Sequence, residues 1–543
     1  MKKFLQVTTI VGSMFLLFLN VSHAKTPNKF TKKVFRQTVS DTLKAQILTP
    51  PAPASPRING AKVFGVRPGS PFLFYVPVTG IRPIVYSAKG LPKGLNLDAN
   101  TGMITGSVAK AGTYNVLLKA KNAKGTATRN LKVVVGDTIA LTPPMGWNSW
   151  NVFAGNVSAD KVKRATDAMV NSGLINHGWT YINIDDYWQN KYPKINDQTV
   201  QGDYRDAQGN ILSNERFPDM KGLADYIHSK GLKAGLYSSP GPYTCGGRAG
   251  SWRHELQDAK TYADWGYDFL KYDWCSYGRV VTDSIQSGIP LYKNKRYDSV
   301  AAVYPYDLMG KALRAQKRDI VYSLCQYGVG EVWKWGAKVN GTCWRTTGDI
   351  FDSWELPGKS NAQNSVSKIG FNQIQSAPYS GPGRYNDPDM LVIGYVGWGK
   401  PHPTRLTPDE QYAHISLWCL LAAPLLLGCD LEKLDDFTLN LITNDEVIDI
   451  DQDPLAIGAT RVSAVDSLEI YKKPLEDGSI AVGLFNRRAT KANIKVNWSD
   501  LGITGKHIIR DVWRQKDIVI AKDNYEAEVA AHGVVLLRLK RKK

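Results

Sequence analysis

Between about residues 141 and 431 the chain alternates short apolar or β-branched runs with helical segments, and the runs end in polar or acidic residues. That alternation implies parallel strands joined by crossover helices. Eight strand ends can be read: Met145-Gly146-Trp147, Asn183-Ile184-Asp185-Asp186, Gly235-Leu236-Tyr237, Leu270-Lys271-Tyr272-Asp273, Tyr322-Ser323-Leu324-Cys325, Thr347-Gly348-Asp349, Asn386-Asp387-Pro388-Asp389-Met390 and Leu425-Leu426-Leu427-Gly428. They predict an α/β fold, a (β/α)8 TIM barrel over 141–450, with its site at the C-terminal ends of the strands. Ser158 is placed to cap a helix on which Val162, Ala165 and Met169 recur at the spacing of a barrel helix. The apolar stretch from Leu417 to Leu427 reads as a buried strand.

The full chain has 543 residues, too many for one ordinary core, so smaller modules must flank the barrel. At the start, Lys2 and Lys3 precede an apolar run that ends in Val21-Ser22-His23-Ala24. This reads as a signal peptide over 1–24, because the run falls short of the ~20 residues that a membrane span requires. The expectation is export, periplasmic or secreted, with no integral membrane segment after cleavage. Residues 25–56, which include Pro50-Pro51-Ala52-Pro53, read as an extended linker. Residues 57–136 show short alternating runs between Gly and Asn turns, the pattern of a small β-sandwich, and 451–543 return to β-type runs of an antiparallel domain.

The net charge of +19 is scattered rather than striped along a helix, which argues against nucleic acid as a partner. None of the six cysteines forms a CxxC pair and no HExxH is present, so neither a metal site nor a cofactor is expected. Asp185, Asp186, Asp273, Asp349 and Asp389 gather at the strand ends instead. Two such acids can cleave a glycosidic bond, one meeting the oxocarbenium-like carbon and the other protonating the leaving oxygen. Trp147, Trp150, Tyr187, Trp188, Tyr237, Trp274 and Trp344 stand beside them, and an aromatic wall suits the apolar face of a pyranose.

Thr142-Pro143-Pro144-Met145-Gly146-Trp147-Asn148-Ser149-Trp150, Ile184-Asp185-Asp186, Lys271-Tyr272-Asp273, Trp344-Arg345 through Asp349, Asp352-Ser353-Trp354 and Asn386-Asp387-Pro388-Asp389-Met390-Leu391 resemble glycoside hydrolase family 27, the α-galactosidase or melibiase family. The C-terminal domain is also like the family's. Gly90-Leu91-Pro92-Lys93-Gly94-Leu95, Thr101-Gly102-Met103-Ile104-Thr105-Gly106 and Gly112-Thr113-Tyr114 resemble the immunoglobulin-like domains found beside secreted bacterial hydrolases.

The resemblance implies a retaining, exo-acting α-galactosidase working on galactose-containing glycans, with Asp273 as nucleophile and Asp349 as general acid/base. It implies carboxyl groups about 5–5.5 Å apart and a proton resting on Asp349. Lys271 and Arg345 match sugar-hydroxyl contacts, Asp185 and Asp186 match grips on the 4- and 6-hydroxyls, Trp150 and Tyr237 match ring contacts, and Asp389 matches a further pocket position. Cys245 and Cys275 match a disulfide. Cys325 with Cys343 is a weaker second pair, while Cys419 and Cys429 read as buried thiols. Where the family usually has Cys-Glu-Trp this chain has Cys325-Gln326-Tyr327, so Gln326 is expected at the 2-hydroxyl. Bulky Gln326 and Val329 favour an unsubstituted 2-hydroxyl over an acetamido group. A β-L-arabinopyranosidase, an α-N-acetylgalactosaminidase and a non-catalytic sugar-binding surface protein stay open as alternatives on the same barrel.

Overall fold

Eight short strands form one parallel sheet: β1 (Met145–Asn148), β2 (Tyr181–Asn183), β3 (Lys233–Ser238), β4 (Phe269–Asp273), β5 (Val321–Cys325), β6 (Cys343–Arg345), β7 (Tyr385–Asp387) and β8 (Leu425–Leu427). In this computed structural model, which describes residues 41–192, 203–286, 299–356 and 364–542, neighbours in sequence pair in order and β8 returns to pair with β1. Just past β7 the Leu391 N–H donates to the Leu426 carbonyl at 2.8 Å, and the Leu391 carbonyl accepts from Gly428 at 3.1 Å. These bonds join β7 to β8, and the ring closes as a barrel. The leader at 1–24 lies outside the described residues. Among those residues no helix is long and apolar enough to cross a membrane.

Local chemistry fixes the helices around the ring. The Ser158 side chain accepts from the Lys161 N–H at the start of the helix Ala159–Asn171, whose Val162, Ala165 and Met169 are buried against the barrel. The stretch 417–427 is not one strand: residues up to 421 finish the helix Pro408–Leu421, and only Leu425–Leu427 is strand. That helix packs on the barrel on one side and on the C-terminal sheet on the other, so residues 410–421 are all buried. A helix buried all round carries no amphipathic period, and so it read as a strand.

The N-terminal module is a sandwich of a four-stranded and a three-stranded sheet around Phe72, Tyr86, Ile104, Val116, Leu131 and Val133. Its glycine motif has a steric cause. A Cβ on Gly106, at φ +127°, would sit 2.0 Å from the Gly94 carbonyl. At the other end, strands from Thr460 to Arg541 build a six-stranded antiparallel sheet and a two-stranded ribbon around Val482, Leu484, Val496, Trp498 and Leu537.

Not all of 25–56 is extended linker. Leu43, Ile47 and Leu48 pack on the barrel core, the Leu48 N–H donates to the Tyr412 hydroxyl, and the Thr49 N–H donates to Asn440. These apolar residues cover barrel surface rather than forming a core of their own.

Several arginines tie the sandwich to the barrel, among them Arg57 to Asp445, Arg129 to Asp449 and, with the most bonds, Arg67. Arg67 donates through its backbone N–H and its Nε to the Asp319 carboxylate, at 2.9 and 2.6 Å. Its remaining nitrogens reach the carbonyls of Arg314, Gln316 and Arg318 just before β5. Arg67→Ala leaves these acceptors unmatched in a mostly buried interface, and denaturant unfolding is expected to show a loss of roughly 2–3 kcal/mol.

Candidate active site

The pleat of each strand decides which side chains enter the barrel mouth. On β4, Lys271 and Asp273 are two residues apart and share the inward face. Tyr237 enters from β3, Arg345 ends β6, and Asp185, Asp186, Asp349 and Asp389 stand in the loops that follow β2, β6 and β7. Together with Trp150, Asn151, Cys245, Tyr327, Met390 and Trp398 they line one small cavity of about 60 Å³. Of the residues expected at the site, the structure gathers all but Gln326.

Asp273 is buried and held at both oxygens: the Tyr237 hydroxyl donates to Oδ2 at 3.1 Å and the Tyr327 hydroxyl to Oδ1 at 2.6 Å. Lys271 Nζ donates to Asp185 Oδ2 at 2.8 Å, where Asn148 also donates at 2.9 Å. Asp186 accepts from the Thr244 hydroxyl and from the N–H groups of Tyr187 and Gly246. Arg345 Nη2 bridges two acids, Asp389 Oδ2 at 2.9 Å and Asp349 Oδ1 at 3.1 Å. Each cation therefore balances acids across the cavity, and the Asp349 side chain keeps 59% of its surface exposed at the mouth.

This charge pattern places the resting proton differently from the expectation. Burial pushes Asp273 up to about 6, and nearby Asp349 adds to the effect, against Lys271 and the Tyr327 hydrogen bond. Partial desolvation pushes Asp349 up too, but Arg345 and then Lys271 overcome it and hold that carboxyl below the usual range. Of the two reacting acids, these opposite shifts favour Asp273 over Asp349 as the one that binds a proton in the empty site. Burial likewise raises Asp186 to about 6.

Gln326 lies outside the cavity lining. Its buried amide donates to the Val329 carbonyl at 2.5 Å within a tight turn, and its Oε1 has no hydrogen-bond partner. The strand ends at Cys325, whose sulfur lies 3.7 Å from Arg345 Nη1, and the chain then turns with Tyr327 at φ +63°, which keeps the Gln326 amide in the turn and brings the Tyr327 phenol to Asp273. The bulk of Gln326 and Val329 therefore does not bound the cavity, and Tyr327, with Asn151 and Trp398, is a lining residue that the sequence reading missed.

Among the aromatic residues, Trp150 and Tyr237 line the cavity, while Trp147, Trp188 and Trp344 are fully buried supports whose indoles donate to Cys429, Tyr237 and Asn386. Trp274 stacks on Tyr306 behind them. Cys245 and Cys275 form a disulfide beside Asp273, and Tyr237 touches the Cys275 sulfur at 3.2 Å. Cys325 and Cys343 are free and buried, so the second pairing is absent, and Cys419 and Cys429 are buried thiols.

The family model described as "Alpha galactosidase A" matches residues 142–453, the stretch that forms this barrel and its site. The chain belongs to the alpha-galactosidase A family. It is a glycoside hydrolase of that family, with a match to the "Alpha galactosidase C-terminal beta sandwich domain" at 465–539 and to the "Putative Ig domain" at 55–136. An alpha-galactosidase of Cyamopsis tetragonoloba is 39% identical over 425 residues, covering 77% of this chain and 91% of that one. Alpha-galactosidase A of Cellvibrio japonicus is 37% identical over 422 residues, covering 74% and 93%. A crystal structure from Bacteroides fragilis, described as a "putative alpha-galactosidase/melibiase", superposes with a TM-score of 0.80 at 37% identity, covering 92% of this chain and 100% of that one.

The Tyr327 bond makes a direct prediction. Tyr327→Phe removes a donor that favours the ionised carboxylate, so the Asp273 titration should move upward from about 6. Carbon-13 NMR of labelled aspartate carboxyls checks it, and an unmoved or lowered titration would show that the phenol does not stabilise the anion.

Proposed function

We propose that this glycoside hydrolase releases terminal α-D-galactosyl groups from oligo- or polysaccharides by double displacement with retention. The observation that carries the proposal is the pairing of Asp273, clamped inside the barrel by two phenols, with Asp349 at the mouth of the same cavity. The relatives' activity supports the sugar identity.

In this reading Asp185, Asp186, Lys271, Arg345 and Asp389 bond the sugar hydroxyls, and Trp150 packs on its ring. An Asp273 oxygen attacks the anomeric carbon as the glycosidic bond breaks, and Asp349 gives its proton to the leaving oxygen. Asp349 then takes a proton from the water that hydrolyses the glycosyl ester, which returns Asp273 as a carboxylate. The productive state needs the shared proton on Asp349. A bound sugar drives that transfer by drawing Arg345 toward its hydroxyls and by excluding water from the Asp349 carboxyl. The leader at 1–24 and the Cys245–Cys275 bond support an exported enzyme, since disulfides persist in oxidising compartments. N-terminal sequencing of the mature protein tests the cleavage after Ala24.

Two measurements test the mechanism. Asp273→Ala should lower kcat on a nitrophenyl galactoside by on the order of 10⁴-fold, and azide should restore turnover as a glycosyl azide. Asp349→Ala should spare kcat/KM for that good leaving group while lowering its kcat, because the hydrolysis step loses its base, and should lower kcat/KM for galactosyl sugars by about 10²–10⁴-fold. A nitrophenyl arabinopyranoside turned over faster than the galactoside would overturn the choice of sugar.

The pH dependence follows from the pair. Its active form holds one proton, and the last proton leaves at about pH 6, where Asp273 titrates beside ionised Asp349. Above that pH no proton is left to donate, so kcat/KM should fall as pH rises through about 6. At lower pH a second proton silences the nucleophile, which gives a bell on the acid side of neutrality. A kcat/KM that climbs steadily to pH 8 contradicts this assignment.

A further inference from the structure

Two aromatic rings at the cavity mouth have no part in the steps above. Trp398 lines the cavity, and its ring lies against that of Phe351, with centroids 5.0 Å apart and planes at 36°. Phe351 follows Asp349 by two residues and is 38% exposed, a large ring left facing solvent next to the proton donor. Together the two rings present an aromatic surface beside the loop of the proton donor.

The backbone holds the pair in place. Trp398 adopts φ +49°, a left-handed conformation that a bulky side chain avoids. Its segment is pinned to the helix Trp150–Phe153: the N–H groups of Gly397 and Trp398 both donate to the Asn151 carbonyl, and that of Gly399 to the Val152 carbonyl. On the other side Ile350, between Asp349 and Phe351, donates its N–H to Asp389 Oδ2 at 2.8 Å. Strained backbone held this firmly next to reactive groups marks a functional position.

The chemistry says what meets these rings. Asp349 must reach the glycosidic oxygen, so whatever is bonded to that oxygen lies just beyond Asp349, over Phe351 and Trp398. We infer that Phe351 and Trp398 form a platform on which the leaving-group pyranose stacks, so that these two rings set the preference for a sugar over an alkyl leaving group. The inference rests on the α-galactosidase reading. A pyranose presents a face of C–H bonds that suits an aromatic ring, and a small alkyl group does not.

The test compares kcat/KM for galactose α-1,6-linked to glucose with kcat/KM for methyl α-galactoside. Both need a proton from Asp349, and only the first offers a sugar ring to the platform. The ratio should fall about five- to tenfold in Phe351→Ala and in Trp398→Ala, and should hold in Phe351→Tyr, which keeps a flat ring. An unchanged ratio overturns the inference, including the case in which both substrates lose equally, because the rings then only support the Asp349 loop. If Trp398→Ala fails to fold, the exposed Phe351 decides. A wild-type protein that cleaves neither galactoside sinks the α-galactosidase reading itself, a result distinct from an unchanged ratio in an active enzyme.

Discussion

The carboxylate of Asp273 is fixed at both oxygens by phenols from neighbouring strands, and the rest of the site is arranged around that immobilised charge. Tyr237 reaches it from β3 and Tyr327 from just past β5, so its two flanking strands in the ring together set its orientation. A buried anion of this kind survives only with hydrogen bonds and cations nearby. Lys271 supplies one charge but is drawn onto Asp185, and Arg345 supplies the other but is shared by Asp389 and Asp349. The site holds more acids than bases, and burial raises the proton affinity of Asp273, the more buried of the two reacting carboxyls. Preorganisation for attack and an elevated proton affinity are thus two results of the same burial.

Much of this was legible in the sequence because a barrel translates position into geometry. Strand ends face one side, so Asp185, Asp186, Asp273, Asp349 and Asp389 could be assigned to a common mouth from their places after apolar runs. Two failures have the same origin. Gln326 was read by its position in a motif, whereas the chain leaves β5 at Cys325 and turns, with Tyr327 at φ +63°, so that the Gln326 amide stays in the turn and the Tyr327 phenol reaches Asp273. The helix Pro408–Leu421 was partly read as strand because its periodic signal is erased where two domains bury it from both sides. Neither the balance of Arg345 between two acids nor the side on which the proton rests is written in residue order. Both depend on distances between loops that lie far apart in the chain.

The two reacting carboxyls are also held by different means. The nucleophile ends a barrel strand and is gripped from inside the ring, while the acid/base sits in a loop secured from outside. Within that loop Asp352 is fully buried, accepting from the Arg405 backbone N–H at 3.0 Å and from its guanidinium at 2.5 Å. Trp354 stacks on His532 of the C-terminal domain, centroids 5.2 Å apart at 17°. His532 in turn meets Glu410 at 2.7 Å, and the other oxygen of Glu410 caps the start of the helix Pro408–Leu421 by accepting from the Thr407 N–H. One carboxylate thereby links the C-terminal domain to the helix that starts three residues after Arg405. The C-terminal sheet braces the loop of the proton donor without touching the cavity, and this gives a physical reason for a barrel enzyme to carry a β-domain behind its last helix. A nucleophile must approach one carbon along one line, so it is fixed within the ring. A group that gives a proton and later takes one back works at the solvent boundary, where its loop can be held firmly while its carboxyl stays exposed.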